Sequence, residues 1–252
     1  MGIFNNLFDI DSRDNYAVTG LNKELNSLYI YNYFIKNKKN NLVITNSLYE
    51  ANDVYNRLLN YTNKVLFFPM DDFITSEVTD ISPEFVIDRL TTLNKLLGSG
   101  KYIVVTNLMG ILRYLPNTKL YKNKIIDINK DMDIDRDDFI NKLFDLGYEK
   151  VPVVSRTGEM AIRGYVIDIF PIEFDNPIRI EFWGDTIDSI KYFDLEDQIS
   201  NTSVDSVKIY PYTEFLIDGK IEDNITRKQK YLLNYSDSVS GLWDYASDRK
   251  YI

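Results

Sequence analysis

The chain has 252 residues, 44% of them hydrophobic and 27% charged, enough to bury a sizeable core and to form two modest domains. Its 38 acidic residues outweigh 29 basic ones, and the formal net charge of −9 excludes a general attraction to a nucleic-acid backbone over the chain as a whole. Cysteine and histidine are both absent, which removes disulfides, thiolate and imidazole metal ligation, and the commonest general base. No apolar stretch approaches the ~20 residues of a membrane span. The opening MGIFNNLFDIDSRD lacks the basic end and apolar centre of a signal peptide, and Asn6 stands where a myristoylation signal wants Ser or Thr. A soluble, cytoplasmic protein is expected.

After Gly20, apolar residues at Leu21, Leu25, Leu28, Tyr31 and Ile35 mark one face of a helix. NLVITN (41–46) reads as a short buried strand, and Leu48, Ala51, Val54, Tyr55, Leu58 and Leu59 predict a second helix. KVLFFP (64–69) is a second strand stopped by Pro69. A helix over 82–97 follows, with Ser82 as N-cap, Pro83 at the first helical position and Val86, Leu90, Leu93 and Leu97 facing inward. KYIVVTN (101–107) is a third strand, followed by a short helix ending near Pro116. Strands separated by helices in this order predict a parallel α/β sheet covered on both sides.

The character changes after Pro116. KIIDIN predicts a strand and DRDDFINKLFDLGY (135–148) a helix capped by Asp135, and the next sixty or so residues read as an antiparallel meander. Its clearest element is IRIEFW-GD-TIDSIKYF, two alternating strands joined by Gly184-Asp185 with Gly first, as a type II′ turn wants. From Pro211 the chain turns helical again, with EDNITRKQKYLLNYSD amphipathic. The expected division is therefore 1–116 with 211–252, interrupted by an inserted domain at 117–210.

Four places invite a chemical reading. AVTGLNKEL (17–25) lies on the frame of a phosphate-binding loop, G-x-x-x-x-G-K-[ST], with Ala17 at the first Gly, Asn22 at the second, Lys23 at the Lys and Glu24 at the hydroxyl residue. Of the defining positions only Lys23 survives, and Glu24 would turn a carboxylate toward phosphate oxygens, so a bare loop and helix start is the stronger reading. Asp71-Asp72 follows a strand, as a second acidic motif would, without supporting sequence around it. DMDIDRDDFINK (131–142) has the alternating acids of a calcium loop, but Arg136 and Lys142 replace its Gly and its bidentate Glu. A solvated helix N-terminus fits better. Glu159, Asp168 and Glu181 are better read as structural partners of Arg156, Arg163 and Arg179 than as an acid/base pair.

The hairpin strand carries the sharpest signal. Side chains alternate along a strand, so Ile178, Ile180 and Phe182 suit a core while Arg179, Glu181 and Trp183 point to the other face. Arg and Trp are the residue types most enriched in binding hot spots. On the adjacent MAIRGYVIDIF (160–170), Arg163 and Tyr165 flank Gly164, and strand pairing decides whether they reach the same patch. The competing reading has Trp183 packed under a neighbouring element and the arginines in surface ion pairs.

SPEFVIDRLTTL, RGYVIDIFP, PIRIEFWGDTIDSIKYFD and IYPYTEF closely resemble the N-terminal region of the bacterial transcription-repair coupling factors, the Mfd family, over roughly Tyr16 to Phe215. That region is in turn similar to the first part of the excision-repair protein UvrB. The resemblance implies a degenerate RecA-like α/β domain with an inserted, mostly antiparallel α+β domain that binds UvrA. It implies a non-catalytic module without cofactor or metal, recruiting UvrA in transcription-coupled nucleotide excision repair. In the family, contact with UvrA involves an Arg of an RG element and an Arg and an aromatic of a following R-x-[DE]-F-[FW] element. Those positions are Arg163, Arg179 and Trp183 here, with Glu181 and Tyr165 beside them. RNA polymerase and DNA would be engaged through domains outside this chain, and a C-terminal domain would mask the UvrA surface.

The alternative is a UvrB-type excinuclease subunit that binds ATP and DNA. UvrB resembles GVTGSGKT where this chain reads AVTGLNKE, so Gly20 is kept while Asn22, Lys23 and Glu24 form a loop not expected to hold nucleotide. UvrB also carries a long aromatic-rich hairpin after its second strand, where only MDDFITSEVTDI stands here. Both differences favour the coupling factor.

Overall fold

A computed structural model of the chain describes residues 17–72, 82–218, 232–236, 238–246 and 249–251. The opening MGIFNN, most of MDDFITSEVTDI and most of EDNITRKQKYLLNYSD lie outside the described residues. The fold is mixed α/β in two compact units, residues 1–113 with 240–252 and residues 114–239.

In the first unit, helix and strand alternate as α1 (Lys23–Asn37), β1 (Asn40–Thr45), α2 (Leu48–Leu59), β2 (Val65–Phe68), α3 (Pro83–Leu96), β3 (Ile103–Asn107) and α4 (Leu108–Ile111). A returning strand at Arg249–Tyr251 completes an all-parallel sheet whose order runs from that strand through β1 and β3 to β2. All four residues of β2 and all five of β3 are buried, which is why both read as unbroken apolar runs and not as alternation. Ile30 and Phe34 of α1 and Ala51 and Leu58 of α2 pack on Val43, Val65, Phe67, Ile103 and Val105 to cover one face. On α3, Thr92 and the buried Arg89 donate to the carbonyls of Phe67 (2.7 Å) and Pro69 (3.0 Å).

Two local expectations are corrected. Leu25 and Ile35 of α1 are exposed, whereas Ser27–Ile30 and Asn32–Phe34 are buried. The helix is covered on two sides, by the sheet core at Ile30 and Phe34 and by a second cluster of Tyr29 and Tyr33 with Leu21. A single 3.6-residue stripe cannot express two buried faces. Ser82 does precede α3 with Pro83 at its first turn, but its side chain makes no capping hydrogen bond.

The second unit opens with β4 (Leu115–Pro116), α5 (Thr118–Lys124), β5 (Ile126–Asn129) and α6 (Arg136–Asp145). Asp135 caps α6 by accepting from the amide of Asp138 at 2.7 Å, and two acids in the first turn suit the helix dipole. Then come β6 (Glu149–Lys150), β7 (Glu159–Arg163), β8 (Val166–Ile169), β9 (Ile178–Trp183), β10 (Thr186–Phe193), β11 (Ser200–Ser203) and β12 (Ser206–Ile209). A six-stranded sheet runs β11-β10-β9-β8-β7-β6. The expected meander holds from β7 to β11, but β6 lies parallel to β7 and β12 leaves to pair antiparallel with β5.

The core of this unit lies on one face of the sheet, where Met160, Ile167, Ile169, Ile178, Ile180, Phe182, Ile187 and Ile190 meet Phe139 and Leu143 of α6 and Ile128, Val207 and Ile209 of the small sheet. Because the side-chain period is two, committing these residues to the core commits their neighbours to the opposite face.

Candidate interaction site

That opposite face is half covered. Val154, Ala161, Phe170 and Phe193 form a small buried cluster toward one end, and the other end carries the predicted residues. Strand register places Asp168 opposite Arg179, Val166 opposite Glu181, and Lys191 and Ser189 of β10 opposite Arg179 and Glu181. Two tight turns close this end of the sheet. Gly164 sits at φ +59 between β7 and β8, and Gly184 at φ +63 between β9 and β10, a left-handed region that costs a residue with a Cβ.

The pairing left open by the sequence is resolved by Asp168. Its carboxylate is 1% exposed and receives three charge-assisted hydrogen bonds: from Arg179 Nε at 2.7 Å and Nη2 at 3.0 Å, and from Arg163 Nη2 at 2.9 Å. Arg179 also donates from Nη1 to the Gln198 carbonyl at 3.1 Å and to Ser200 Oγ at 3.4 Å, and its guanidinium lies over the Phe193 ring at 4.7 Å. The hydrogen bonds it donates to Asp168 hold the pKa of Arg179 above the ordinary arginine value. With its side chain only 17% exposed, Arg179 is largely committed to the protein, whereas Arg163 is 49% exposed and keeps donors facing solvent.

Glu181, expected near an arginine, is instead held by Lys191 Nζ at 2.7 Å and by Ser189 Oγ. The Lys191 hydrogen bond, then that of Ser189, keeps its carboxyl below the usual glutamate range. A register shift between Ile187 and Ser189 puts Ser189 opposite Glu181 and turns Lys191, opposite Arg179, to the same face, a bulge that alternation in the sequence does not reveal. Glu159 does pair with Arg156, at 2.9 Å, and also accepts from the Ser155 amide and hydroxyl. Burial pushes its carboxyl up, but these bonds outweigh burial and leave it below the ordinary value.

Around the buried ion cluster stand two open aromatic rings. Trp183 is 84% exposed and Tyr165 is 66% exposed, so the reading in which Trp183 packs under a neighbouring element does not hold. The structure therefore gathers Arg163, Arg179 and Glu181 on one face and places Tyr165 and Trp183 at its two turns. Asp168 holds the arginines as the sequence reading expects, whereas Lys191 and Ser189 belong to the same arrangement without a signal in the sequence, because only strand register brings them to it.

The remaining candidates have structural occupations. Asn22 caps α1, accepting from Leu25 N at 2.9 Å after Gly20 at φ +81. Lys23 bonds Asp53 at 3.1 Å, Glu24 pairs with Arg57, and Arg57 Nε reaches Asp53 at 3.0 Å, so the residues on the phosphate-loop frame serve to dock α1 on α2. Asp72 accepts from the amide of Leu48 at 2.8 Å and from Asn107 Nδ2 at 2.8 Å, helping to cap α2. Within DMDIDRDD, Asp133 accepts from Thr186 and Asp135 from Asp138 N. Among the described residues no cluster of carboxylates is arranged to hold a metal ion, and no helix is long and apolar enough to cross a membrane.

Residues 126–215 match the family model of the UvrB interaction domain. The chain is 33% identical over 229 residues, 90% of its length, to the transcription-repair-coupling factor of Staphylococcus haemolyticus strain JCSC1435. It is 32% identical over 235 residues, 92% of its length, to that of Staphylococcus epidermidis strain RP62A, and 32% identical over 229 residues, 90% of its length, to that of Staphylococcus aureus strain USA300. It spans 20% of the length of each of these relatives. Residues 126–215 therefore resemble a UvrB interaction domain, and the chain as a whole is similar to the transcription-repair-coupling factors over a fifth of their length.

Proposed function

We propose that this chain is the non-catalytic recruitment module of a transcription-repair-coupling factor, and that it docks UvrA in transcription-coupled nucleotide excision repair. The observation that carries this reading is the exposed Trp183, which shares one end of the sheet with Tyr165 and the half-exposed Arg163 in the stretch that matches the UvrB interaction domain. Large open aromatics next to a cation are what a protein partner buries at the centre of an interface. RNA polymerase and DNA would be engaged by parts of the whole protein beyond this chain, with a C-terminal domain covering the UvrA face until it is needed, all in the cytoplasm. Calorimetric titration of UvrA tests the reading: the native chain should bind, and the Arg163→Ala/Arg179→Ala/Trp183→Ala variant should give no heat at concentrations that saturate the native chain. Equal affinity for the triple variant would remove this face from contention.

The parallel sheet of the first unit supports a RecA-like origin, and we infer that its nucleotide site has been given over to packing. Lys23 and Glu24, the residues that would meet phosphate and metal, pair with Asp53 and Arg57. Saturating Mg-ATP should leave the thermal midpoint unchanged, whereas a true site at 100 times its dissociation constant would stabilise by about 2.7 kcal/mol. A stabilisation of that size would revive the UvrB-type reading.

A further inference from the structure

The acidic segment that resembles a calcium loop lies against both turns of the recognition face. After β5, the amide of Asp131 donates to the Ile187 carbonyl (2.8 Å), the amide of Ile187 to the Met132 carbonyl (2.9 Å), and the amide of Ile134 to the Asp185 carbonyl (2.8 Å). Asp133 forms an isolated antiparallel bridge with Thr186 and accepts from its hydroxyl at 2.6 Å. Residues 131–134 thus act as a short extra strand beside the start of β10, immediately below the turn that carries Trp183. Met132 and Ile134 pack against the core beneath.

Beyond the capping Asp135, the following side chain reaches the other turn. Arg136, at the start of α6, donates from Nη2 to the carbonyl of Gly164, and from Nη1 to Asp137 at 3.0 Å. Its side chain is 22% exposed, and its Nε is buried with no hydrogen-bond partner among the described residues. A buried unpaired donor is a cost that most sites avoid. The adjacent Tyr165 carbonyl is in turn bound by the amide of Phe182 at 2.8 Å, so the β7–β8 turn is fixed from α6 on one side and from β9 on the other. One continuous segment therefore ties the turn bearing Arg163 and Tyr165 to the turn bearing Trp183.

We propose that Arg136 is a positioning residue for partner recognition, holding the Arg163–Tyr165 turn in fixed relation to Trp183 so that the two turns meet UvrA as one preformed surface. The inference rests on the docking role proposed above. Preorganisation of this kind lowers the ordering cost of association, and a brace that touches no partner acts through the residues it holds.

The experiment combines amide hydrogen exchange with UvrA titration on the native chain, Arg136→Ala and Arg136→Lys. In Arg136→Ala the Phe182 amide should exchange about tenfold faster, while the Ile134 and Ile187 amides keep their native rates. UvrA affinity should fall about tenfold, and Arg136→Lys, which retains one donor for the Gly164 carbonyl, should recover part of the loss. In an Arg163→Ala/Tyr165→Ala background the same Arg136→Ala change should alter affinity by less than about twofold, because the turn it positions no longer contributes. Native Phe182 exchange in Arg136→Ala, or an affinity loss that persists undiminished in that background, overturns the positioning role alone. A native chain that fails to bind UvrA overturns the docking role on which the proposal rests.

Discussion

Arg179→Ala should lower the free energy of unfolding by about 3 kcal/mol, because it removes one partner of a buried ion pair and leaves the other in place. The Asp168 carboxylate is 1% exposed and depends on Arg179 for two of its three charge-assisted hydrogen bonds. Arg163 retains the third, so the charge is not wholly abandoned, but a single donor cannot replace a bidentate fork. The substitution also removes the donor to the Gln198 carbonyl and the cation over Phe193. Arg179→Lys should fall between the two, keeping the charge while losing the fork. Arg163→Ala should cost about 1 kcal/mol or less, since its side chain is half exposed and its ion pair is partly solvated. Urea unfolding followed by circular dichroism measures all three. Equal stability for Arg179→Ala and the native chain would mean that the Asp168 cluster is not what fixes this face.

That ordering separates two arginines that look alike in the sequence, and it marks where sequence reading stops. The strand carrying Arg179 was legible, because I-R-I-E-F-W alternates cleanly and Gly184 supplies the positive φ of the turn. Asp135 as a cap and Pro83 at a helix start were legible too, since each rests on chemistry local to a few residues. What alternation cannot give is register. Arg163, Asp168 and Arg179 meet only because β8 pairs with both β7 and β9, and Glu181 meets Lys191 only through a bulge. The two-sided burial of α1 escaped for a related reason. The second side is made by Leu21 packing on Tyr29 and Tyr33, a contact that no helical period encodes.

Trp183→Ala should show the reverse behaviour, a large loss of partner binding with little loss of stability. A ring 84% exposed contributes little to the folded state, so the unfolding free energy should stay within about 0.5 kcal/mol of native. If the ring is the aromatic anchor of the UvrA interface, its truncation should cost about 2 to 4 kcal/mol, a thirtyfold to thousandfold weaker dissociation constant. Trp183→Phe should retain most of the affinity, because a flat apolar ring remains at the same turn. Tyr165→Ala at the neighbouring turn should cost less, its ring being smaller and already partly covered. The contrast with Arg179→Ala makes the assignment testable: that variant loses binding through a disturbed fold, whereas Trp183→Ala should lose it from an intact one. Native affinity in Trp183→Ala, together with a native urea midpoint, would place the anchor elsewhere on the domain.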